Sequence, residues 1–169
     1  MFEAFGIDPI DEAARHWRRR WGTESVPALA AVTSIGRIHQ ILSARLNDAL
    51  ASFELTIERY EALMLLFLSR RGALPLAKLS ARLQAHPTSA SSLAEALEQR
   101  GYATCAPDPR DAQVTLVTIT ERGRAVAAEA TAMLNRQRFG TAPLREQELV
   151  ALTEILRRVR AGAGDPASV

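Results

Sequence analysis

At 169 residues with 47% hydrophobic and 24% charged side chains, the chain is long enough to bury a core without staples, and its composition excludes a disordered or fibrous protein. The single cysteine, Cys105, excludes an internal disulfide and fits a reducing compartment, and the longest apolar run, Ala62 to Leu68, is far too short to span a bilayer. A net charge of +2 does not argue for nucleic acid by itself, but residues 70–124 hold eight basic against five acidic side chains and are the basic part of the chain.

The opening MFEAFGIDPIDEAARHW has acids where a secretory leader carries a basic region, so the expected location is the cytoplasm. Residues 9–21, PIDEAARHWRRRW, place Ile10, Ala13, Ala14, Trp17 and Trp21 on one helical stripe that Gly22 ends. From Ala28 to about Ser52, apolar residues recur every three or four positions (Leu29, Val32, Ile35, Ile38, Leu42, Leu46), which predicts a long amphipathic helix. Thr56 caps the next, to about Ser69, whose ALMLLFL is apolar on every side and belongs between other elements.

After Gly72, Pro75 sits near the start of a short helix with Leu76, Leu79 and Leu83 on one face. A turn at Gln84 to His86 leads to a second helix, from Pro87 to its stop at Gly101. Periodicity then changes: YATCA and VTLVTI alternate, and PDPRDAQ between them turns a β-hairpin with its tip near Pro109 and Arg110. Thr120 caps another helix, and a last one carries Leu149, Leu152, Ile155, Leu156 and Val159 on its apolar side. The reading is a mainly α fold with a small β-hairpin wing, a winged helix-turn-helix flanked by helices whose apolar faces are left unburied.

On the helix from Pro87, Ala90, Leu93, Ala94 and Leu97 face inward, while Thr88, Ser91, Ser92, Glu95 and Gln99 face out. A helix that enters a major groove needs such a slim, polar N-terminal end, where hydroxyls meet phosphates or base edges and the helix dipole favours an anion. Thr88, Ser89, Ser91, Ser92 and Gln99 are therefore the expected groove residues. Arg110 at the hairpin tip is placed to enter the minor groove, with Asp108 pairing to its guanidinium and orienting it. Lys78, Arg82 and Arg122 are the expected phosphate contacts. A solvated serine-rich helix is the bland alternative, and the hairpin weighs against it.

With HPTSASSLAEALEQRGY, DPRDAQVTLVTIT and TERGRAV on the page in this order, the chain resembles the MarR family of bacterial transcription regulators over residues 28 to about 160. The resemblance implies a homodimer formed by the N- and C-terminal helices, paired winged helices on a palindromic operator in duplex DNA, and a small ligand that weakens DNA binding. Asp108, Arg110 and Asp111 match the family's wing motif, and Gln113 stands where a further charged residue, Arg, is usual. The implied division is an extra helix and connector over 1–26, a dimerisation helix over 27–54, the winged helix-turn-helix over 55–124, C-terminal dimerisation helices over 125–161 and a flexible tail over 162–169.

Other residues invite separate chemistry. Trp17 and Trp21 read first as a docking stripe; Trp17 with His39, Tyr60, Met64 and Phe67 is the expected lining of an apolar cleft for an aromatic, anionic effector. His16, His39 and His86 are too scattered for a zinc site. Cys105 reads as a small strand residue ahead of a redox sensor. Ser89, Ser91 and Ser92 lack a nucleophile's partners. Neither a cofactor nor a membrane partner is implied. The expected function is a ligand-responsive repressor and not an enzyme; the alternatives are a winged-helix protein-interaction module without DNA affinity and, further off, a carrier or enzyme using the cleft.

Overall fold

In the computed structural model, which describes residues 6–165, the elements run as seven helices and three strands. The N-terminal helix α1 (Pro9–Trp21) starts on an Asp8 side chain that accepts the Ile10 N–H at 2.8 Å, and it packs on the long helix α2 (Val26–Leu50). A short 3-10 turn, Ala51–Phe53, ends α2, and Glu54 leaves it in a left-handed conformation. Helix α3 (Ile57–Phe67) then begins under Thr56 as expected; its first amide, Ile57 N–H, is taken by the Asn47 side chain of α2 at 2.7 Å. That bond satisfies an orphan helix-start donor and fixes the angle between the two helices.

The helix-turn-helix is α4 (Leu76–Leu83) and α5 (Pro87–Gln99). Gln84 caps α4 in the left-handed region, and the buried Ser80 hydroxyl donates to the Ala85 carbonyl at 2.8 Å, which closes the turn from inside. The wing is β2 (Ala103–Asp108) and β3 (Asp111–Ile119), antiparallel. A third strand, β1 (Ala73–Pro75), pairs with β3 in the order β1-β3-β2, where the sequence reading had only the approach to a helix. Three residues are too few for a visible alternation, and Pro75 closes the strand at the point where α4 starts.

Helix α6 (Glu121–Arg136) is capped by Thr120, whose hydroxyl accepts the Gly123 N–H at 3.0 Å and donates to the Gly101 carbonyl at 2.7 Å. A 3-10 turn, Arg138–Gly140, leads to α7 (Glu146–Gly162). The core is centred on Leu63, Leu66, Leu79, Leu97, Val117 and Leu134, all fully buried, so α3, both helices of the motif, the wing and α6 share one packed interior. Tyr102 ties the base of the wing to the end of α2's 3-10 turn by donating to the Phe53 carbonyl at 3.0 Å.

Outside that core lie two bare faces. Every residue from 31 to 40 on α2 is exposed, and α7 buries none of its side chains. Val32, Ile35 and Ile38 on α2, and Val150, Leu152, Ile155 and Val159 on α7, stand among the exposed large apolar residues. Of the expected tail over 162–169, residues 166–169 lie outside the described residues; Asp165 is held by Gln84 and Arg160, at 2.5 Å and 3.4 Å. Among the described residues no helix is long and apolar enough to cross a membrane.

Candidate nucleic-acid interface

Helix α5 presents its N-terminal end as the spacing required. Ala90, Ala94 and Leu97 are buried, whereas Thr88, Ser89, Ser92 and Gln99 are exposed. His86 is the N-cap: its Nδ1 accepts the Thr88 N–H at 3.3 Å. Pro87 fills the first helical position, where no amide is needed. Ser91 differs from its neighbours because its hydroxyl donates to the Pro87 carbonyl at 3.1 Å and its side chain is half buried. It lies with Gln113 in a groove of about 360 Å³ between α4, α5 and β3. Gln99 sits in the last turn, away from the end of the helix that carries the serines.

On the first helix of the motif the structure gathers cations. Lys78 and Arg82, one turn apart on α4, line a cleft of about 740 Å³ together with Arg110 of the wing. Arg70 and Arg71, from the turn before β1, complete it. Sequence reasoning passed over these two because they fall between the helix that ends near Ser69 and the one that restarts after Gly72; the signal was their adjacency to Gly72, which turns the chain sharply with φ +66°. Arg122 does not line this cleft. It lies at the start of α6 with its guanidinium over the Tyr102 ring, 5.3 Å from the centroid.

The wing requires a correction. Asp108 was expected to pair with the Arg110 guanidinium, but Asp108 Oδ1 accepts the backbone N–H of Arg110 at 2.9 Å, and no ion pair joins the two side chains. Asp111 does the same for the Gln113 N–H at 3.0 Å. Two residues is the natural reach of an aspartate to a backbone amide in a turn, so the acids shape the loop and the Arg110 side chain stays exposed.

Acidic groups also approach α5. A groove of about 460 Å³ between α3 and α5 is lined by Glu58 and Glu61 on one side and by Thr88, Ser89 and Ser92 on the other. Burial, and then the neighbouring Glu58, push the Glu61 carboxyl above its ordinary pKa. On the other flank Glu98 accepts the Cys105 N–H at 2.7 Å, and burial first, then Glu98 and Glu95, push the Cys105 thiol up. A thiol so placed is less ionised at neutral pH than a free one, which disfavours oxidation chemistry.

The expected effector residues separate. Tyr60 and Met64 line a cleft of about 580 Å³ between α3, α4 and the turn after α6, with Leu46, Leu83 and Phe139. Phe139 reaches it from a backbone in the left-handed region, φ 50° and ψ 34°, following Arg138 at φ 48°. Tyr60 is buried, and its hydroxyl is hydrogen-bonded to that of Thr131 at 2.9 Å. Phe67 packs against the core and does not line the cleft. Neither do Trp17 and His39: Trp17 stacks on Trp21 with centroids 4.6 Å apart, its indole Nε1 buried without a partner, and His39 is exposed on the bare part of α2.

No family model matches the chain, and no curated protein matches it. Among solved structures, the fold superposes on Sco5413, a MarR family transcriptional regulator from Streptomyces coelicolor, with a TM-score of 0.77 and 38% identity over 83% of this chain and 99% of that one. The chain belongs to the MarR family. More distant MarR-family structures share the fold alone. They include a mutant E. coli MarR complexed with operator DNA, at 19% identity and TM-score 0.70 over 80% of this chain and 97% of that one. Another is CouR from Rhodococcus jostii RHA1 bound to p-coumaroyl-CoA, at 21% and 0.63 over 74% and 87%.

Proposed function

We propose that this MarR-family protein is a cytoplasmic transcriptional repressor that binds a palindromic operator as a homodimer and releases it on binding a small aromatic anion. The observation that carries this reading is a helix-turn-helix whose second helix exposes a small, polar N-terminus while its first helix places Lys78 and Arg82 in one cleft with Arg70, Arg71 and Arg110. Thr88, Ser89 and Ser92 offer groups to base edges and phosphates, and the five cations offer charges to the phosphate backbone. That relatives of the same fold are solved with operator DNA supports the choice of duplex DNA.

Two further parts support the assembly and its control. The bare apolar faces of α2 and α7, within 27–54 and 125–161, are the surface a two-fold partner would cover, since isolated exposed leucines and isoleucines are ordinary but a row of them along a helix is not. The cleft at Tyr60 and Met64 lies where α3 meets α4, so a ligand there acts on the motif that reads DNA; a relative solved with p-coumaroyl-CoA supports an aromatic ligand. Such a ligand must prefer the conformation that does not fit DNA. A protein-interaction role without DNA affinity is not favoured, because it leaves the cationic cleft between α4 and the wing without a purpose. Sequencing genomic fragments retained by the protein tests the reading: it expects enrichment of a palindrome with half-sites on the order of 10 bp apart, and random retention contradicts it.

A further inference from the structure

The apolar cleft at Tyr60 and the cationic cleft beneath the wing are neighbours, and two residues line both: Leu68 at the end of α3 and Arg82 in the last turn of α4. Arg82 is the one that carries charge. Lys78, Arg70, Arg71 and Arg110 line the cationic cleft alone. The Arg82 guanidinium makes no hydrogen bond or ion pair with any described residue, although Glu61 lies on the same apolar cleft. Gln84 stops α4 two residues later, and its left-handed conformation turns the chain away, so the Arg82 side chain is left free at a helix end between two cavities.

We propose that Arg82 is shared in turn by the two clefts: it contacts a DNA phosphate when the apolar cleft is empty and holds the carboxylate of an aromatic anion when that cleft is filled. This rests on the regulatory reading above and names the device by which that site acts. The chemistry suits the residue. A guanidinium presents a planar fork that takes a carboxylate by two parallel hydrogen bonds, and it is weakly hydrated enough to enter a cleft walled by Met64, Leu83 and Phe139. Glu61, the acidic side chain there, repels an anion, so a ligand with one charged end lies with that end at Arg82. One side chain cannot serve both anions at once, and the ligand therefore competes directly with a phosphate contact. A repacking of α3 against α4 is not needed for this part of the effect.

The probes are 2-naphthoate and its neutral counterpart 2-naphthamide, titrated into the full-length protein alone and into its complex with duplex DNA, for the parent, R82Q and R82K. Naphthoate is expected to bind the parent at least tenfold more tightly than naphthamide, and R82Q to lose that preference while keeping the naphthamide affinity. R82Q should also flatten the salt dependence of DNA binding by about one unit in log K against log salt per chain, the loss of one phosphate contact. R82K keeps a cation but not the fork, so it should retain the parent's DNA salt slope and bind naphthoate several-fold more weakly. Naphthoate that fails to bind the parent, or binds R82Q as it binds the parent, overturns the inference. So does a parent that binds DNA with a salt slope unchanged in R82Q. A parent without affinity for duplex DNA overturns the regulatory reading itself, a different failure that the ligand titrations do not share.

Discussion

The Asp108 carboxylate accepts the Arg110 backbone N–H at 2.9 Å and does not pair with the Arg110 guanidinium. On the proposed DNA-binding reading, this acid shapes the wing tip at the cost of its repulsion for phosphate. Asp108→Asn retains an acceptor oxygen at the same place and removes the charge, so it should tighten DNA binding a few-fold. Asp108→Ala loses the turn bond and should not exceed the parent. Arg110→Ala should weaken binding about tenfold, or about 1.4 kcal/mol. A titration of each variant against one selected duplex separates these outcomes.

Ser91 and Ser92 are adjacent but differ in what their hydroxyls do. Ser91 Oγ is spent on the Pro87 carbonyl at 3.1 Å, and Ser92 is exposed. Ser92→Ala is expected to change which bases are preferred, since a good direct contact discriminates by about 1–3 kcal/mol; Ser91→Ala should leave the preference alone. Gln113 lines the same groove as Ser91, and Gln113→Arg should steepen the salt slope by about one if the new cation meets a phosphate. Selection from a randomised duplex pool reads the base preference directly.

Gly123 is buried at the start of α6, and a methyl group there would run into the Tyr102 carbonyl. That carbonyl is fixed because it accepts the Thr120 N–H at 3.0 Å, so neither side can yield cheaply. Gly123→Ala should destabilise the fold by about 1–3 kcal/mol through overpacking, measured by urea denaturation. The wing base and α6 meet here, so the loss should appear in the global transition.

The bare faces of α2 and α7 predict the fourth outcome. Ile35 and Ile155 are 42% and 50% exposed in the single chain, each in a row of exposed apolar residues on its helix. The parent should sediment as a dimer. Ile35→Glu with Ile155→Glu, which would bury unpaired charges in the interface, should shift it to monomer and abolish operator binding while leaving the helix content unchanged.

Much of the architecture was legible because its signals are local. The caps at Thr56 and Thr120, Pro87 and Gly101 around α5, and the alternation in VTLVTI each specify their own element within a few residues. β1 was not legible, since three residues gain strand identity only by pairing Leu74 with Val117, a contact over forty positions distant in sequence. The site divides in the same way. The exposed hydroxyls of α5 follow from helical spacing alone. By contrast, Arg70 and Arg71 join Lys78 and Arg110 only through the turn at Gly72 and the curl of the wing. The cleft at Tyr60 was half read: Met64 follows from being one turn further on α3, but Leu46 and Phe139 come from elements that no local pattern links. Trp17 and His39 carried an aromatic and a polar signal that suited a pocket, and the fold places them on α1 and on the uncovered half of α2.

The most direct test of the account is the affinity of the full-length protein for a duplex selected from its genome and for a scrambled duplex, measured at several salt concentrations. With Lys78, Arg82, Arg70, Arg71 and Arg110 on phosphates, both affinities should fall steeply as salt rises, the slope reaching several units in log K against log salt. The selected duplex should stay at least about a thousandfold tighter than the scrambled one. Affinities that are weak, equal for the two duplexes and indifferent to salt would contradict the claim that this face binds DNA.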